Sequence, residues 1–510
     1  MPGEVFYFYR AMEFHSSRRR TKFARAMNNL DAILEKWEPV IGLEVHAQLA
    51  TETKMFCGCK NIYGDPPNSH TCPICLGLPG ALPVANEKAL QYVLRLGVAL
   101  GSEITRFSRF ARKNYFYPDL PKGYQISQFE EPLCRGGSVT IRQGDGLKKI
   151  RLTRIHLEED AGKSIHGTDG VGTRIDLNRS GVPLVEIVSE PEIQSADEAK
   201  EYFARLRLTL EYLSICHCNM EHGNLRCDAN ISLRQRGETN LGVKTEMKNM
   251  NSFRSVERGL EYEIRRQAEI LEEGGEVEQV TLLWDETGQK AEIMRTKEES
   301  HDYRYFPDPD LVPIEVTDED LRHAQEALVE LPHEKEARFV SEYGLRLDDV
   351  MILVSDPKLA EYFEETVALW SDAAAASKWI LGEMRRNLKD RSLDVASFPI
   401  RPDRFAELLK VVDEGVVNVN SAKLIFRAML ESDETPRQII EAQGLAVVSE
   451  ESELQAIIDG VLADSPAEVS RYREGKKSLF GFFMGEVMKK TGGKSDPQVI
   501  RKLLTKALDE

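Results

Sequence analysis

The chain has 510 residues, of which 41% are hydrophobic and 30% charged, and this composition is that of an ordinary globular protein with about two to four domains. Its eight cysteines are too few for a disulfide scaffold, and no apolar stretch approaches the roughly 18 residues of a membrane span, so we predict a cytoplasmic protein without a membrane segment. The formal net charge of -17 excludes a protein that coats nucleic acid nonspecifically, and any nucleic-acid contact must come from a local basic patch.

The N-terminal extension, residues 1–36, is predicted to be disordered or misassigned. Three consecutive arginines, residues 18–20, are typical of an organelle transit peptide. Glu4 and Glu13 are not typical of one, and Met27 is a second candidate start.

Residues 41–49 alternate strictly between apolar and polar side chains, which predicts a strand with one buried face and one open face. The open face carries Gly42, Glu44, His46 and Gln48. A carboxylate, an imidazole and an amide beside a glycine that leaves room for a ligand favour a binding face. An ordinary polar face fits this strand equally well.

A C-x-C pair and a C-x-x-C pair, separated by twelve residues, follow this strand: Cys57, Cys59, Cys72 and Cys75. Two short knuckles of this kind can close a tetrahedral thiolate site, and four thiolates with no open position predict a structural zinc. The alternative is a set of unrelated free thiols in a reducing compartment. Three other cysteines lack a second knuckle and are predicted to be buried structural residues, whereas one stands alone: Cys216, Cys218 and Cys227, and Cys134.

Residues 112–129 interleave cationic and aromatic side chains, among them Lys113, Tyr115 and Tyr117. Cations beside aromatic faces are suited to a nucleotide or to a terminal RNA base. This segment is therefore a candidate ligand-binding region.

The alternation of residues 150–158 changes phase near Thr153 and Arg154, which predicts a β-bulge. Beyond the bulge, His156 and Glu158 are predicted to share one face. The acidic run at 158–160 is typical of a solvated loop, but it also suits a hard cation such as magnesium, which prefers carboxylate and phosphate oxygens.

Another carboxylate stands where burial is expected. Residues 181–188 read GVPLVEIV, an apolar run that predicts a buried strand interrupted only by Glu186. Because a buried carboxylate is costly without a partner, Glu186 must be paired.

Further patterns predict strands at 174–178, 225–234 and 243–248 and helices at about 87–100, 195–213 and 252–271. Ser195 and Glu198 predict a capping box at the start of the second helix. The strands are apolar on one face and polar on the other, which indicates an antiparallel sheet covered by helices on its dry side. We predict an α+β fold with a polar sheet floor.

Strand patterns end near residue 315, and short helical segments continue to the C terminus. We place a helical domain at 331–440 and a small helical tail domain at 441–510. Between residues 471 and 508, ten lysines and arginines against three acids surround Phe480, Phe482 and Phe483. This segment is either a basic patch for nucleic acid or the solvated face of small helices.

Six segments resemble, in the same order, the B-subunit family of the aspartyl/glutamyl-tRNA amidotransferases: IGLEVHAQL, RKNYFYPDLPKGYQISQ, HLEEDAGKS, LNRSGVPLVEIVSEPEI, LRCDANISLR and HDYRYFPDPDLVPIEV. The resemblance extends from about residue 37 to residue 510. It implies a cradle-shaped catalytic domain at 37–330, similar to the glutamine synthetase and guanido kinase fold and containing the zinc knuckle at 57–75. The helical domain and the tail domain follow.

The resemblance implies an ATP-dependent conversion of mischarged Glu-tRNA(Gln), Asp-tRNA(Asn) or both into the corresponding amides. ATP phosphorylates the side-chain carboxyl, and ammonia supplied by the glutaminase A subunit displaces the phosphate. The implied partners are subunits A and C, in a heterotrimer, and the mischarged tRNA. The choice of substrate stays open, since it depends on which synthetases the organism has.

The resemblance also implies roles for particular residues. By similarity, the family's magnesium ligands fall on Glu44, His46, Glu158 and Glu186. The nucleotide and the aminoacyl end are expected near Lys113, Tyr115 and Tyr117. The tail is expected to hold the tRNA body through Lys476, Lys477, Lys489 and Lys490. The zinc knuckle occurs in only part of the family and is predicted from cysteine spacing alone.

Two other classes of function compete with this one. A zinc-dependent hydrolase would need an open coordination position and a nearby general base, and four thiolates offer neither. A noncatalytic tRNA-binding scaffold would explain the basic tail. It would not explain a buried Glu186 together with an open face that carries Glu44 and His46.

Overall fold

The computed structural model describes residues 30–144, 146–166, 172–296, 303–446, 451–492, 495 and 497–509. The chain forms two compact units, one ending at Pro332 and the other beginning at His333. Residues 1–29 of the predicted extension lie outside the described residues. The prediction of disorder is wrong for its last seven residues, because they form a helix (Leu30–Lys36) whose Ile33 packs into the core.

The strands of the first unit are β1 Trp37–Gln48, β2 Glu103–Ile104, β3 Phe107–Ser108, β4 Ala111–Asn114, β5 Tyr124–Ser127, β6 Cys134–Arg135, β7 Ser138–Gln143, β8 Gly146–Glu159, β9 Lys163–His166, β10 Thr173–Asp176, β11 Pro183–Ser189, β12 Leu225–Gln235, β13 Thr245–Met250, β14 Val280–Asp285, β15 Lys290–Thr296, β16 Phe306–Pro307 and β17 Ile314–Glu315. Its helices are α1 Leu30–Lys36, α2 Pro73–Leu76, α3 Glu87–Ala99, α4 Ala196–Tyr212, α5 Phe253–Glu272 and α6 Asp318–Glu326.

A 13-stranded sheet dominates this unit, with the order β15-β14-β13-β12-β1-β11-β8-β5-β4-β16; β6 and β7 also pair with β8, and β2 pairs with β6. Its pairs are antiparallel throughout the described part except β13 with β14, which is parallel. The predicted antiparallel sheet therefore has one parallel pair in its described part. The reason is α5, which connects the two strands as the crossover that a parallel pair requires.

One face of the sheet is buried against helices. The predicted alternation of the first strand is confirmed, since Ile41, Leu43 and Val45 are fully buried. They share one core cluster with Tyr202 of α4 and Leu260 of α5. The helices thus cover this face, and the polar side chains of the same strands are left on the other face.

The predicted helix at 195–213 is confirmed as α4, but its capping box is only half formed. Ser195 Oγ accepts a hydrogen bond from the Glu198 N–H at 3.1 Å, as expected. The Glu198 carboxylate instead accepts from the N–H of Gln194 at 2.9 Å and from Lys148 Nζ at 2.8 Å. A charged partner on β8 therefore replaces the predicted reciprocal bond.

The predicted bulge in β8 is confirmed. Val188 of β11 pairs with Arg154, whereas the next residue, Ser189, pairs with Leu152, so that Thr153 is the extra residue. A bulge changes which side chains point to a given face. Beyond it, Ile155 and Leu157 enter the core, as the phase change predicts.

The second unit is helical in its described part: α7 Pro332–Tyr343, α8 Leu347–Val354, α9 Pro357–Leu369, α10 Ala373–Trp379, a π turn Ile380–Met384, α11 Arg385–Arg391, α12 Pro402–Asp413, α13 Val419–Met429, α14 Pro436–Gln443, α15 Glu451–Asp464, α16 Pro466–Arg473, a 3-10 turn Lys477–Leu479, α17 Phe480–Lys490 and α18 Pro497–Asp509. The last four helices share a core of their own that includes Ile458, Phe483 and Leu504. None of the helices in the described ranges has the length and apolarity needed to cross a membrane.

Candidate active site

Polar side chains form rows across the open face of the sheet. Arg226, His46, Glu186 and His156 are directly paired neighbours on β12, β1, β11 and β8. Side chains of directly paired residues project from the same face of a sheet, so the four strands bring together residues that are up to 180 positions apart in the chain. The next row starts with Asp228 and runs through Glu44, Val188 and Arg154.

These rows form the floor of a polar cavity of about 590 Å³. Its lining is Glu44, His46, Lys113, Ser127, Gln128, Arg154, His156, Glu158, Glu186, Val188, Arg226, Cys227, Asp228, Glu246, Lys248, Asn249, Asn251, Tyr303 and Tyr305. Five carboxylates, two imidazoles and four lysines or arginines therefore face one space. This is an unusual density of charge for a sheet face, and it favours a ligand-binding role.

His46, Glu158 and Glu186 form the centre of this cavity. His46 Nε2 lies 3.6 Å from Glu158 Oε1 and 3.5 Å from Glu186 Oε2. One donor atom from each of the three residues lies within 4.8 Å of the others, which is close enough for all three to bind one cation. Carboxylate oxygens suit a hard divalent cation, and an imidazole is a common additional ligand for metals.

Glu44 lines the same cavity but is not part of this three-residue group. Its Oε1 accepts a hydrogen bond from Asn230 Nδ2 at 2.8 Å. Burial and the charge of Glu186 raise the pKa of Glu44. The structure thus brings all four predicted magnesium ligands into one cavity and places three of them around one point.

The central group is strongly coupled electrostatically. Burial opposes protonation of His46, but the hydrogen bond and charge of Glu186, with the charge of Glu158, raise the pKa of His46 to about 8. Burial and the charge of Glu186 raise the pKa of Glu158 to about 7. The protonation states of His46, Glu158 and Glu186 therefore depend on one another, and a proton taken up by His46 or Glu158 makes the group less negative.

His156 adds a second imidazole that was not predicted as a site residue. Its Nε2 lies 3.4 Å from Glu186 Oε2, and burial lowers the pKa of His156 to about 4. Burial also opposes ionisation of Glu186, but the neighbouring imidazoles and Lys113 lower the pKa of this carboxyl.

The other acids of the 158–160 run do not face the cavity, and they are not solvated either. Glu159 accepts from the Ile126 N–H at 2.9 Å and pairs with Lys122, and both side chains are buried. Asp160 accepts from Arg226 at 2.9 Å and from Gln48 Nε2 at 2.8 Å. The solvated-loop interpretation is therefore wrong, because both carboxylates are buried and each has a cationic or amide partner.

The three residues predicted near a nucleotide are placed differently. Lys113 lines the cavity, with its Nζ 4.8 Å from the ring centroid of Tyr303. Tyr115 lies behind Tyr303, with ring centroids 6.0 Å apart, and its hydroxyl is 3.3 Å from Gln125 Oε1. Tyr117 is 49% exposed and does not line the cavity.

Several residues that line the cavity were not predicted from the sequence. Lys248 pairs with Asp228 at 2.7 Å and with Glu246 at 2.8 Å. Tyr303 and Tyr305 come from the HDYRYF segment, whose density of aromatic residues was the available signal. The alternation of β12 did place Asp228 on the polar face, but only the strand register brings it beside Glu44.

The four predicted cysteines converge in a separate loop. Cys75 Sγ lies 3.4 Å from Cys57, 3.7 Å from Cys72 and 3.8 Å from Cys59. Sulfur atoms about 3.8 Å apart are the spacing expected when four of them surround a zinc at about 2.3 Å. The hydrogen bond from Cys57 and the charge of Lys54 lower the pKa of Cys75 to about 4, although burial acts in the opposite direction.

Three further cysteines lie outside this site. The prediction that they are buried is confirmed for Cys216, Cys218 and Cys227.

The four lysines of the tail are exposed on α17 and on the turn before it. Lys477 pairs with Asp509 at 3.0 Å and Lys490 with Asp464 at 2.6 Å. Of the neighbouring aromatic residues, Phe483 belongs to the tail core and Phe482 is 42% exposed. The aromatic cluster therefore serves in part to hold the tail helices together.

Fold and cavity together define an α+β protein whose open sheet face carries a charged cavity with donors for a cation, followed by helical domains. Residues 39–322 match the family profile described as the GatB/GatE catalytic domain, and residues 361–508 match the one described as the GatB domain. The chain therefore belongs to the family of amidotransferase B subunits, and the resemblance seen in the sequence is confirmed.

Individual relatives agree with this assignment. The chain is 50% identical, over 474 residues, to the B subunit of the aspartyl/glutamyl-tRNA(Asn/Gln) amidotransferase of Prosthecochloris aestuarii, and the match covers 93% of this chain and 98% of the relative. It is 48% identical, over 476 residues, to the protein of the same name from Thermoanaerobacter sp. (strain X514), and that match covers 93% of this chain and 100% of the relative.

Proposed function

We propose that this chain is the subunit of a tRNA-dependent amidotransferase that converts mischarged Glu-tRNA(Gln), Asp-tRNA(Asn) or both into Gln-tRNA(Gln) and Asn-tRNA(Asn). The observation that carries this proposal is the convergence of His46, Glu158 and Glu186 on the floor of a charged cavity. The similarity to the relatives supports it, since it extends along nearly all of the chain. The chemistry needs ATP and a divalent cation at one place. This cavity offers ligands for the cation and space for part of the nucleotide.

In the proposed reaction, a side-chain carboxylate oxygen of the aminoacyl group attacks the γ-phosphorus of ATP, and the bond to ADP breaks. Ammonia then attacks the carboxyl carbon, the bond to phosphate breaks, and a proton leaves the nitrogen. His46, Glu158 and Glu186 would hold magnesium, with Glu44 beside them. When bound, magnesium neutralises charge on the phosphate oxygens.

Cationic side chains would stabilise the phosphate charge that develops during this transfer. Lys113 and Arg154 both line the cavity, and Arg154 Nε has no hydrogen-bond partner among the described residues. Cations fixed in a partly dry pocket stabilise a transferring phosphoryl group more than they would in water. We assign the two residues to phosphate binding, and Tyr303 and Tyr305 to the wall against which the nucleotide or aminoacyl end rests.

The remaining parts of the proposal concern domains and partners. We infer that residues 37–330 are a cradle domain similar to glutamine synthetase and guanido kinase, that 331–440 are a helical domain, and that 441–510 hold tRNA. Ammonia would come from a glutaminase A subunit, and a C subunit would complete a heterotrimer in the cytoplasm. The four-cysteine site would hold a structural zinc, which the spacing of its sulfur atoms supports.

A noncatalytic tRNA-binding scaffold is the alternative function, and the exposed tail lysines favour it. The two functions differ in ATP use. The reconstituted complex, given each mischarged tRNA in turn, should hydrolyse ATP only with charged tRNA and magnesium present. A wild-type rate that is the same with and without charged tRNA would support the scaffold instead, and the comparison also identifies which tRNA is the substrate.

Cation binding to the cavity should depend on pH. A ligand must lose its proton to bind a metal, and the pKa values of His46 and Glu158 are raised to about 8 and about 7. With Mn²⁺ as the probe for the proposed magnesium site, the binding affinity should therefore rise from pH 6 to about pH 8.5 and level off above it. Calorimetry in two buffers of different ionisation enthalpy should detect proton release at pH 7 and little at pH 9. A flat affinity between pH 6 and 8.5 would contradict the proposed ligand set.

Neutralising the tail lysines, Lys476, Lys477, Lys489 and Lys490, should weaken tRNA binding. Phosphate contacts release counterions, so the salt dependence of affinity should flatten by about 0.7 to 0.9 log units for each lysine–phosphate pair that is removed. Turnover of saturating charged tRNA should change little. A control that neutralises the exposed Lys88, Lys290, Lys358 and Lys410 has the same net charge. Equal affinity and salt slope in the two variants would show that the tail lysines are a solvated helix face.

A further inference from the structure

The four-cysteine loop is in direct contact with Lys122, which lies in the turn just before β5. Helix α2, which carries Cys75, is capped at its C-terminal end by Gly77, whose φ is +64. A Cβ at Gly77 would lie 2.2 Å from Lys122 Cγ and 3.0 Å from Lys122 Cβ. The stem of Lys122 therefore lies against the end of α2, and only glycine leaves room for it.

Lys122 in turn holds the end of β8. Its ammonium pairs with Glu159 in a buried ion pair, and the same carboxylate oxygen accepts from the Ile126 N–H at 2.9 Å. Glu159 is the last residue of β8, and its neighbour Glu158 points into the cavity. The position of Lys122 thus affects the strand end that presents one of the three clustered donors.

A second connection runs from the cysteines to the segment before β11. Lys54 is 1% exposed, and its Nζ lies 3.6 Å from Cys75 Sγ while donating to the carbonyl of His70 at 2.7 Å and to that of Leu177 at 3.3 Å. Ser180 Oγ also donates to the Cys75 carbonyl at 3.4 Å. Residues 177 and 180 lead directly into β11, which carries Glu186.

We propose that the four-cysteine site is a positioning element for the cavity. By fixing α2, it holds Lys122 against Glu159 and so sets the orientation of the Glu158 side chain. The inference rests on the proposed function, since it takes the cavity to be the cation site of the reaction. The first connection starts at Gly77, which caps the helix that carries Cys75, and the second starts at Cys75 itself, so a bound metal at the cysteines would stabilise both at once. Residues that orient metal ligands from outside the coordination shell commonly alter metal affinity by about 10- to 100-fold.

Gly77→Ala tests this in the complete complex, because it disturbs the contact with Lys122 and keeps all four cysteines. Gly80→Ala is the matched control, since Gly80 also has a positive φ, +83, but a Cβ there would meet nothing within 4 Å. Both variants introduce backbone strain in the same loop, and only the first displaces Lys122. Zinc content and Mn²⁺ affinity, the latter by electron paramagnetic resonance, are measured for wild type and for each variant.

We expect Gly77→Ala to keep its zinc yet bind Mn²⁺ at least about 10-fold more weakly, with a matching loss of charged-tRNA phosphorylation, whereas Gly80→Ala stays close to wild type. Cys72→Ser, which removes a zinc ligand, should weaken Mn²⁺ binding in the same way. Wild-type Mn²⁺ affinity in Gly77→Ala, with the affinity still abolished in Glu186→Gln, would overturn this inference and leave the proposed function intact. Mn²⁺ binding in the wild type that does not depend on Glu186 would overturn both.

Discussion

Replacing Glu186 with glutamine is expected to lower tRNA-dependent phosphorylation of the aminoacyl carboxyl by about 10²- to 10³-fold while the protein stays folded. Glu186 is the carboxylate closest to both imidazoles of the cavity, 3.5 Å from His46 and 3.4 Å from His156. Glutamine has nearly the same shape, so the strand should persist. It has no charge, so it cannot supply the anionic ligand that a divalent cation needs.

The measurement is ATP hydrolysis and amide formation by the reconstituted complex, with free ammonia as well as with glutamine. Glutaminase activity of the partner subunit should survive, since that chemistry does not use this cavity. Glu190→Gln is the control, because it makes the same chemical change four residues away, at a carboxylate that accepts a hydrogen bond from Thr153 Oγ outside the cavity. Normal amide formation by Glu186→Gln would remove Glu186 from the proposed cation site.

The second large effect is expected from Cys72→Ser. The variant should lose about one zinc per chain and melt at least about 5 °C lower, since a structural metal contributes folding free energy and 1 kcal/mol corresponds to roughly 2–4 °C for a domain of about 150–250 residues. The loop that carries the cysteines is largely exposed, so it has little apolar core to replace the metal. Three thiolates cannot hold the cation as four do.

Elemental analysis and thermal unfolding, with and without a chelator, test this prediction. The chelator should lower the melting temperature of the wild type towards that of the variant, and should change the variant little. Cys216→Ser, at a buried cysteine outside the four-cysteine site, serves as a control whose zinc content should equal that of the wild type. A wild-type protein without zinc, or a variant that melts at the wild-type temperature, would contradict the prediction.

The polarity of individual elements was determined by the sequence. Alternation in β1 separated Ile41, Leu43 and Val45 from Glu44 and His46, because neighbouring residues of a strand face opposite sides. Helical periodicity placed α4 and α5, and Ser195 placed the start of α4, for the same kind of local reason. The cysteine spacing also predicted a convergent site, since two short knuckles can fold onto one point within a single loop.

Tertiary structure alone decided which polar residues meet. His46, Glu186 and His156 become neighbours only through the register of three strands that are far apart in the chain, and no local pattern encodes that register. The same holds for the acidic run after β8. Glu158 lines the cavity, whereas Glu159 forms an ion pair with Lys122 and Asp160 forms one with Arg226. Adjacent carboxylates look alike in a sequence, and their different roles arise from which cation each meets when the strands pair.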